Sequence, residues 1–380
     1  MLAVAGRFTA PANASATSMT PRERVLATLN RQPVDRLPVD LWHTDEVSAA
    51  LQQHLGLEDD LAVYRRLQLD KIVWAFLDYR HDQNPGATSP PGTDSTERQE
   101  RKPWGALLRR VQAGAAHYEE VVSSPLAGCE SVSDLDRYPD WPDVSRFDYE
   151  GAAALARKAS VDFAVIGPWI SCFEIYCQMR GLEKALLDLV DQPEFVDAAL
   201  DRIEAIQTEM MSRYFAAAGK SLDLVFISDD IAGQKSLLLS PNSWRQHLQP
   251  RLKRWCDFIH AHDFKVFYHT DGAARPLIRE ILDCGVDVLN PIQHACPGMD
   301  LAGLKRDFGS HVIFHGGVDN QSVLPRGTPD DVRAEVCHCL NNLGADRQGY
   351  ICSSCHQVQA GTPVANILAM IEEARQFSPS

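Results

Sequence analysis

Eight short apolar runs recur along this chain, with helix-like stretches between them, and that alternation constrains the fold more than any other property of the sequence. The runs are LPVDLW (37–42), DKIVWAF (70–76), FAVIGPW (163–169), LDLVFIS (222–228), FKVFYH (264–269), DVLNPIQ (287–293), VIFHGG (312–317) and GYICSS (349–354). The intervening stretches carry helix signals. Thr20, Pro21 and Glu23 form a cap, a first-turn proline and a capping box; DEVSAALQQHLG ends in Gly56; PEFVDAALDRIEAIQTEMMSRYFAAAG runs over 193–219; Thr328 and Pro329 open TPDDVRAEVCHCLNNLG. Strands alternating with helices imply a parallel sheet, and eight such units imply an α/β fold of the closed (β/α)8 TIM-type barrel. An open, doubly wound sheet is the competing architecture.

One segment breaks the rhythm. Residues 80–150 are rich in Pro, Gly, Ser and Asp, and RRVQAGAAHYEEVV (109–122) reads as a hairpin. An excursion of that length after the second strand is expected to form a cap over one end of the barrel. No fixed-period repeat or second domain is evident, so the 380 residues read as one barrel over 19–376 with an insertion. The Ala/Ser/Thr-rich residues 1–18 read as a disordered leader, with Met19 a candidate start. A net charge of −14 repels phosphate backbones and argues against a nucleic-acid partner. No apolar run reaches the roughly 18–20 residues of a membrane span. The ten cysteines are scattered rather than spaced as a secreted framework, so reduced thiols in a cytoplasm are expected.

In a barrel the active site lies at the C-terminal ends of the strands. Those ends collect His43 and Asp45, Asp78, Trp169 with Glu174, Asp229 and Asp230, and His269 with Asp271. Asn290, Gln293, His294 and Cys296 follow, then His315 with Asp319, and Cys352, Cys355 and His356. Polar residues follow strands in every α/β protein, and acidic caps such as Asp45 are explained that way. The density of His and Cys on the last four strands is not. In FYHTDG, His269 and Asp271 stand two apart and so share a face of the strand, with Gly272 letting the chain turn afterwards. Cys355 and His356 end the eighth strand. His269, Asp271 and Cys355 suit zinc with one open position, a catalytic arrangement; the alternative is a His–Asp hydrogen bond beside an inert buried thiol. Cys352 and Cys355 face opposite sides of their strand and do not share one metal. Of Asp229 and Asp230, one carboxylate points inward, as a base, a ligand or a support for His269.

The stretches SDDIAGQKSLLLSPNSWRQHLQPRLKRW, VFYHTDGAARPLI, GVDVLNPIQ, VIFHGGVDNQSVLP and GYICSSCHQVQAGTPVANILAM, with the opening TPRERVLATLNRQPVDRLPVD, resemble the uroporphyrinogen decarboxylase superfamily over nearly all of 19–376. The resemblance implies the same barrel. One branch, the true decarboxylases, uses no cofactor and clamps an acidic tetrapyrrole with N-terminal arginines, but LPVDLWHTDEV (37–47) contains none. The other branch, cobalamin-dependent methyltransferases, binds zinc through His-x-Cys on the fifth strand and Cys on the eighth. His269 and Cys355 match the first and last of these, and Asp271 replaces the middle cysteine.

This branch implies a zinc-dependent methyltransferase or demethylase. It would move a methyl group between a small substrate and a corrinoid on a separate carrier protein, or a folate. Asp229 or Asp230 would orient His269 or handle a proton, Glu174 is a further catalytic or ligand candidate, and His43, Trp169, Gln293 and His315 are expected to contact substrate. The superfamily also implies a homodimer. A metal-free carboxy-lyase acting on a smaller acid is the alternative, and a different metal-assisted reaction or a non-catalytic binding barrel completes the set.

Overall fold

The computed structural model describes residues 18–80, 99–113 and 116–377, so the expected leader falls almost wholly outside the described residues. The strands are β1 (Ile72–Trp74), β2 (Gln99–Arg101), β3 (Leu107–Ala113), β4 (Ala116–Ser123), β5 (Ala164–Ile170), β6 (Leu224–Ser228), β7 (Lys265–His269), β8 (Val288–Asn290), β9 (Ile313–Val318) and β10 (Tyr350–Ser354). Seven of them form one all-parallel sheet in the order β1-β5-β6-β7-β8-β9-β10. Sequence neighbours are sheet neighbours throughout, with helices between them, as a curling α/β sheet requires.

The first apolar run does not become a regular eighth strand. It makes one parallel bridge, Val39 to Cys352, flanked by bonds from Asp40 N to Cys352 O and from Cys352 N to Pro38 O. On its other side Asp70 N donates to Val39 O at 2.7 Å, so the run lies beside both edges of the sheet. The reason for the broken ladder is in the side chains. The Asp70 carboxylate takes the amide of Val39, and the Asp40 carboxylate takes the amides of Leu41 and Ile72, donors that strand pairing would otherwise use.

Alternation along the strands sorts two cores. Phe226 and Phe267 point inward with Trp42, Ile72, Ile166, Leu224, Val288, Ile313 and Ile351. Val225, Ile227, Val266 and Tyr268 point outward against the helices. Most helix signals hold, but Asp45 is not a cap: it is the first residue of the helix Asp45–Leu55, whose N-cap is Thr44 and which ends at Gly56 as expected. Thr20 and Glu23 form their capping box on Pro21–Leu29, Pro193–Ala218 is one long helix, and Thr328 caps Pro329–Leu343 with Asp331. The hairpin read over 109–122 is present as antiparallel β3 and β4, with Arg109 facing Glu120, and β2 adds a third strand. All ten cysteines are free. Among the described residues no helix is long and apolar enough to cross a membrane.

Candidate metal centre

The C-terminal ends of β7 and β10 converge on one group. One donor atom from each of His269, Asp271 and His356 lies within 4.8 Å of the other two. His269 Nε2 stands 3.9 Å from Asp271 Oδ1, and the two imidazoles are 5.3 Å apart at their centroids, inclined at 67°. Sheet register explains the placing of His269: it pairs with Ser228 on β6 and with Asn290 on β8, and its Nδ1 meets Asn290 Oδ1 at 2.6 Å. Gly272 adopts φ +86°, and a Cβ there would lie 2.4 Å from Gly233 O, so the turn that returns Asp271 to the mouth requires glycine.

The electrostatics suit a cation. Burial pushes the His356 imidazole down to about 4, helped by neighbouring His269, so the ring is neutral and offers a lone pair. Burial pushes the Asp271 carboxyl up, against the pull of His269, while Asp230 adds to the rise. Burial and then the Asp230 charge raise Glu174 to about 7, its Oε2 accepting from Ser228 Oγ at 3.1 Å. Carboxylates crowded at low dielectric repel one another, and a dication between them relieves that repulsion. Asp230 Oδ1 accepts from the Asp271 amide at 2.8 Å, and Gln293 Nε2 donates to Asp271 Oδ1 at 3.3 Å, so both hold Asp271 in place.

Several expected site residues lie elsewhere. Cys355 is not in the group. Adjacent residues at a strand end point in opposite directions, and its Sγ donates instead to the carbonyls of Ile292 and Gly317, both at 3.3 Å, while His356 faces the mouth. Asp229 is not free to act as a base. Its carboxylate accepts from Ser171 Oγ and from the amides of Cys172, Phe173 and Glu174, and so caps the helix Phe173–Arg180. His315 is fully buried, bonded to Asp40 and Asn290, and lines neither of the two cavities described below. His43 bonds to Tyr64 Oη at 2.9 Å and lines a cavity of about 1240 Å³ beside Trp42, Lys71 and Trp74. Trp169 and Glu174 share another cavity, of about 250 Å³, with Phe76 and Trp104. Leu108 of β3 and Glu119 of β4 line both cavities, which puts the small sheet over them.

Sequence reasoning placed His356 at the end of the eighth strand but chose the neighbouring Cys355 for the ligand set, because the cysteine matched the expected pattern. It also missed Asp40 and Lys71. A charged residue inside each of two apolar runs was the signal, since such residues are buried only when paired. A second cluster, His294, Glu335 and Cys339, is already satisfied: His294 Nε2 is 2.7 Å from Glu335 Oε1, which also accepts from the Asp319 amide.

The family model described as Uroporphyrinogen decarboxylase (URO-D) matches residues 117–377. Methylcobamide:CoM methyltransferase MtaA of Methanosarcina barkeri is 22% identical over 95% of this chain and 99% of its own length. A uroporphyrinogen decarboxylase of Alkalilimnicola ehrlichii is also 22% identical, over 95% of this chain and 96% of that protein. A solved methyltransferase from Methanosarcina mazei superposes with a TM-score of 0.65 at 19% identity, covering 94% of this chain and 98% of that one, and so shares the fold.

Proposed function

This chain belongs to the uroporphyrinogen decarboxylase family, and from that premise we propose that it is a zinc-dependent methyltransferase or demethylase for a small substrate. The observation that carries the reading is the convergence of His269, Asp271 and His356. Two imidazoles and a carboxylate with an open position are a catalytic zinc set. The name of the methylcobamide relative supports a corrinoid as methyl carrier; in this reading the corrinoid arrives on a separate protein, and a folate would be the other methyl carrier. The same reading takes residues 37–42 as the eighth strand of a (β/α)8 barrel, supported by the Val39–Cys352 bridge. It takes 80–150 as a capping insertion and the working form as a cytoplasmic homodimer.

Zinc bound there supplies Lewis acidity toward a substrate sulfur, oxygen or nitrogen at the open position. His269 and His356 contribute no charge and Asp271 contributes one negative charge, so the set donates less charge than one containing thiolates. Glu174, raised to about 7, would hold or release a proton at the substrate heteroatom. Asp230 and Gln293 keep Asp271 oriented. Trp42 and Phe226, whose rings lie 6.0 and 5.7 Å from that of His269, shield the inner side from water.

The uroporphyrinogen decarboxylase relative keeps a metal-free carboxy-lyase as a second reading. Against a polycarboxylate substrate stands the 1240 Å³ cavity, where Asp45, Glu46, Glu58, Asp59, Asp60, Glu100 and Glu119 outnumber Lys71, Arg110 and Lys158 on the walls. Metal content by plasma mass spectrometry decides between them. About one zinc per chain is expected, lost in His269→Ala, Asp271→Ala and His356→Ala and kept in Cys355→Ser, with methyl exchange against cob(I)alamin following the metal. A native protein without metal would overturn the methyltransferase reading. Loss of zinc in Cys355→Ser with retention in His356→Ala would overturn the ligand set.

A further inference from the structure

Behind His269 a line of buried polar groups crosses the interior of the sheet. Asp40, Asn290 and His315 are fully buried, and Lys71 and His269 are each 5% exposed. The Asp40 carboxylate accepts from Lys71 Nζ at 3.1 Å, Trp42 Nε1 at 3.0 Å, and the amides of Leu41 and Ile72 at 2.7 and 3.3 Å. With that many donors it is an anion and only accepts.

The hydrogen-bond directions then follow one from another. His315 Nε2, 3.0 Å from Asp40 Oδ2, must donate. A neutral imidazole that donates from Nε2 accepts at Nδ1, and Nδ1 faces Asn290 Nδ2 at 2.8 Å. The same amide nitrogen lies 3.3 Å from the His315 carbonyl oxygen, which can only accept, so the Asn290 amide has one possible orientation. Its Oδ1 therefore faces His269 Nδ1 at 2.6 Å, and that nitrogen carries the proton.

We infer that Asp40, His315 and Asn290 act as positioning residues that fix the Nδ1–H tautomer of His269 and leave Nε2 unprotonated at the strand-end group. The inference deepens the proposed function, in which His269 is a ligand, but the tautomer itself is a property of the metal-free chain. A charge held deep in the sheet by Lys71 thus decides which atom of His269 is offered at the mouth. The ring cannot satisfy the relay by turning over, because that would put Cδ2 in place of Nδ1 opposite Asn290; Trp42 stacks on it at an interplanar angle of 25° and Phe226 packs beside it. Outer hydrogen bonds of this kind orient ligating histidines and raise their basicity, and removing one lowers metal affinity about 10- to 100-fold.

The test is long-range proton–nitrogen NMR on full-length, metal-free protein with ring-labelled histidine, above about pH 8, where an ordinary imidazole is neutral. The His269 signals are identified by their loss in His269→Gln. The wild-type protein is expected to show a protonated Nδ1 and a bare Nε2. Asn290→Leu and His315→Leu should shift His269 toward the other tautomer and weaken Co2+ binding about 10- to 100-fold. Asn290→Asp, which keeps an oxygen facing Nδ1, should retain the wild-type tautomer. A protonated Nε2 in the wild type overturns the inference without need of a folded variant. So does an unchanged tautomer with unchanged Co2+ affinity in Asn290→Leu. If no Co2+ binds to the wild type, the metal reading of the site falls, while the spectrum still decides the relay.

Discussion

Replacing Asp40 by asparagine is the most informative test of what holds the interior together. The carboxylate is fully buried and serves five donors: the Lys71 ammonium, the Trp42 indole, the His315 ring and two backbone amides. Asparagine keeps the shape but removes the charge, turns an NH2 toward groups that donate, and leaves the buried Lys71 without its counter-charge beside two aromatic rings, 5.3 Å from Trp74 and 5.9 Å from Tyr64. Removing one partner of a buried ion pair costs about 3–5 kcal/mol, a large part of the roughly 5–15 kcal/mol that holds a folded domain. Urea unfolding followed by far-ultraviolet circular dichroism and by tryptophan fluorescence should show a loss of that size. Asp40→Asn with Lys71→Met should recover part of it, about 0.5–3 kcal/mol of coupling. The pH dependence has a definite sign. Burial opposes ionisation of Asp40, but Lys71 and His315 outweigh it and hold the carboxyl below its usual range. Its contribution is thus present above the unfolded value near 3.9 and is lost as pH falls below it, so the wild type should lose more stability than Asp40→Asn on acidification. A single variant within about 1 kcal/mol of wild type, or a double variant no more stable than the single, would refute the reasoning.

Other predictions test the site more locally. Asp229→Ala strips four donors at a helix start and should cost about 1–3 kcal/mol while leaving zinc content unchanged; loss of zinc at full stability would assign the residue to the metal instead. Gly272→Ala places a Cβ against Gly233 O at positive φ and should destabilise by about 1–3 kcal/mol or more, read by thermal unfolding. Glu174, raised by burial to about 7, favours the folded state of metal-free protein most below its unfolded value near 4.3. That contribution fades as pH rises through about 7, and Glu174→Gln should flatten the decline in urea midpoints over this window.

The alternation of strands and helices was legible because each inward and outward face leaves a period-two pattern, and the helix caps because Thr20 and Thr328 sit at fixed distances from Glu23 and Asp331. His269 and Asp271 were legible for the same reason, two apart on one strand. Which of Cys355 and His356 faces the mouth was not, since it depends on how the chain leaves β10, a matter of tertiary contacts with Ile292 and Gly317. Nor could spacing show that the Asp229 carboxylate is consumed by the helix start at Phe173, 56 residues away. His315 lies at a strand end in sequence, yet its ring turns to Asp40, 275 residues distant, a pairing no local pattern encodes.

That separation bears on the order in which the chain is made. Synthesis delivers Asp40 and Lys71 almost together, 31 residues apart, so this half of the joint can form early. His315 and the Cys352 bridge arrive only when the last strands emerge. Until then β1 and the 37–42 run present an uncovered edge, and a buried carboxylate waits for its second partner. Contacts so far apart in sequence make closure the slow step. A nascent or truncated chain ending before β10 is accordingly the species most exposed to aggregation and to chaperones.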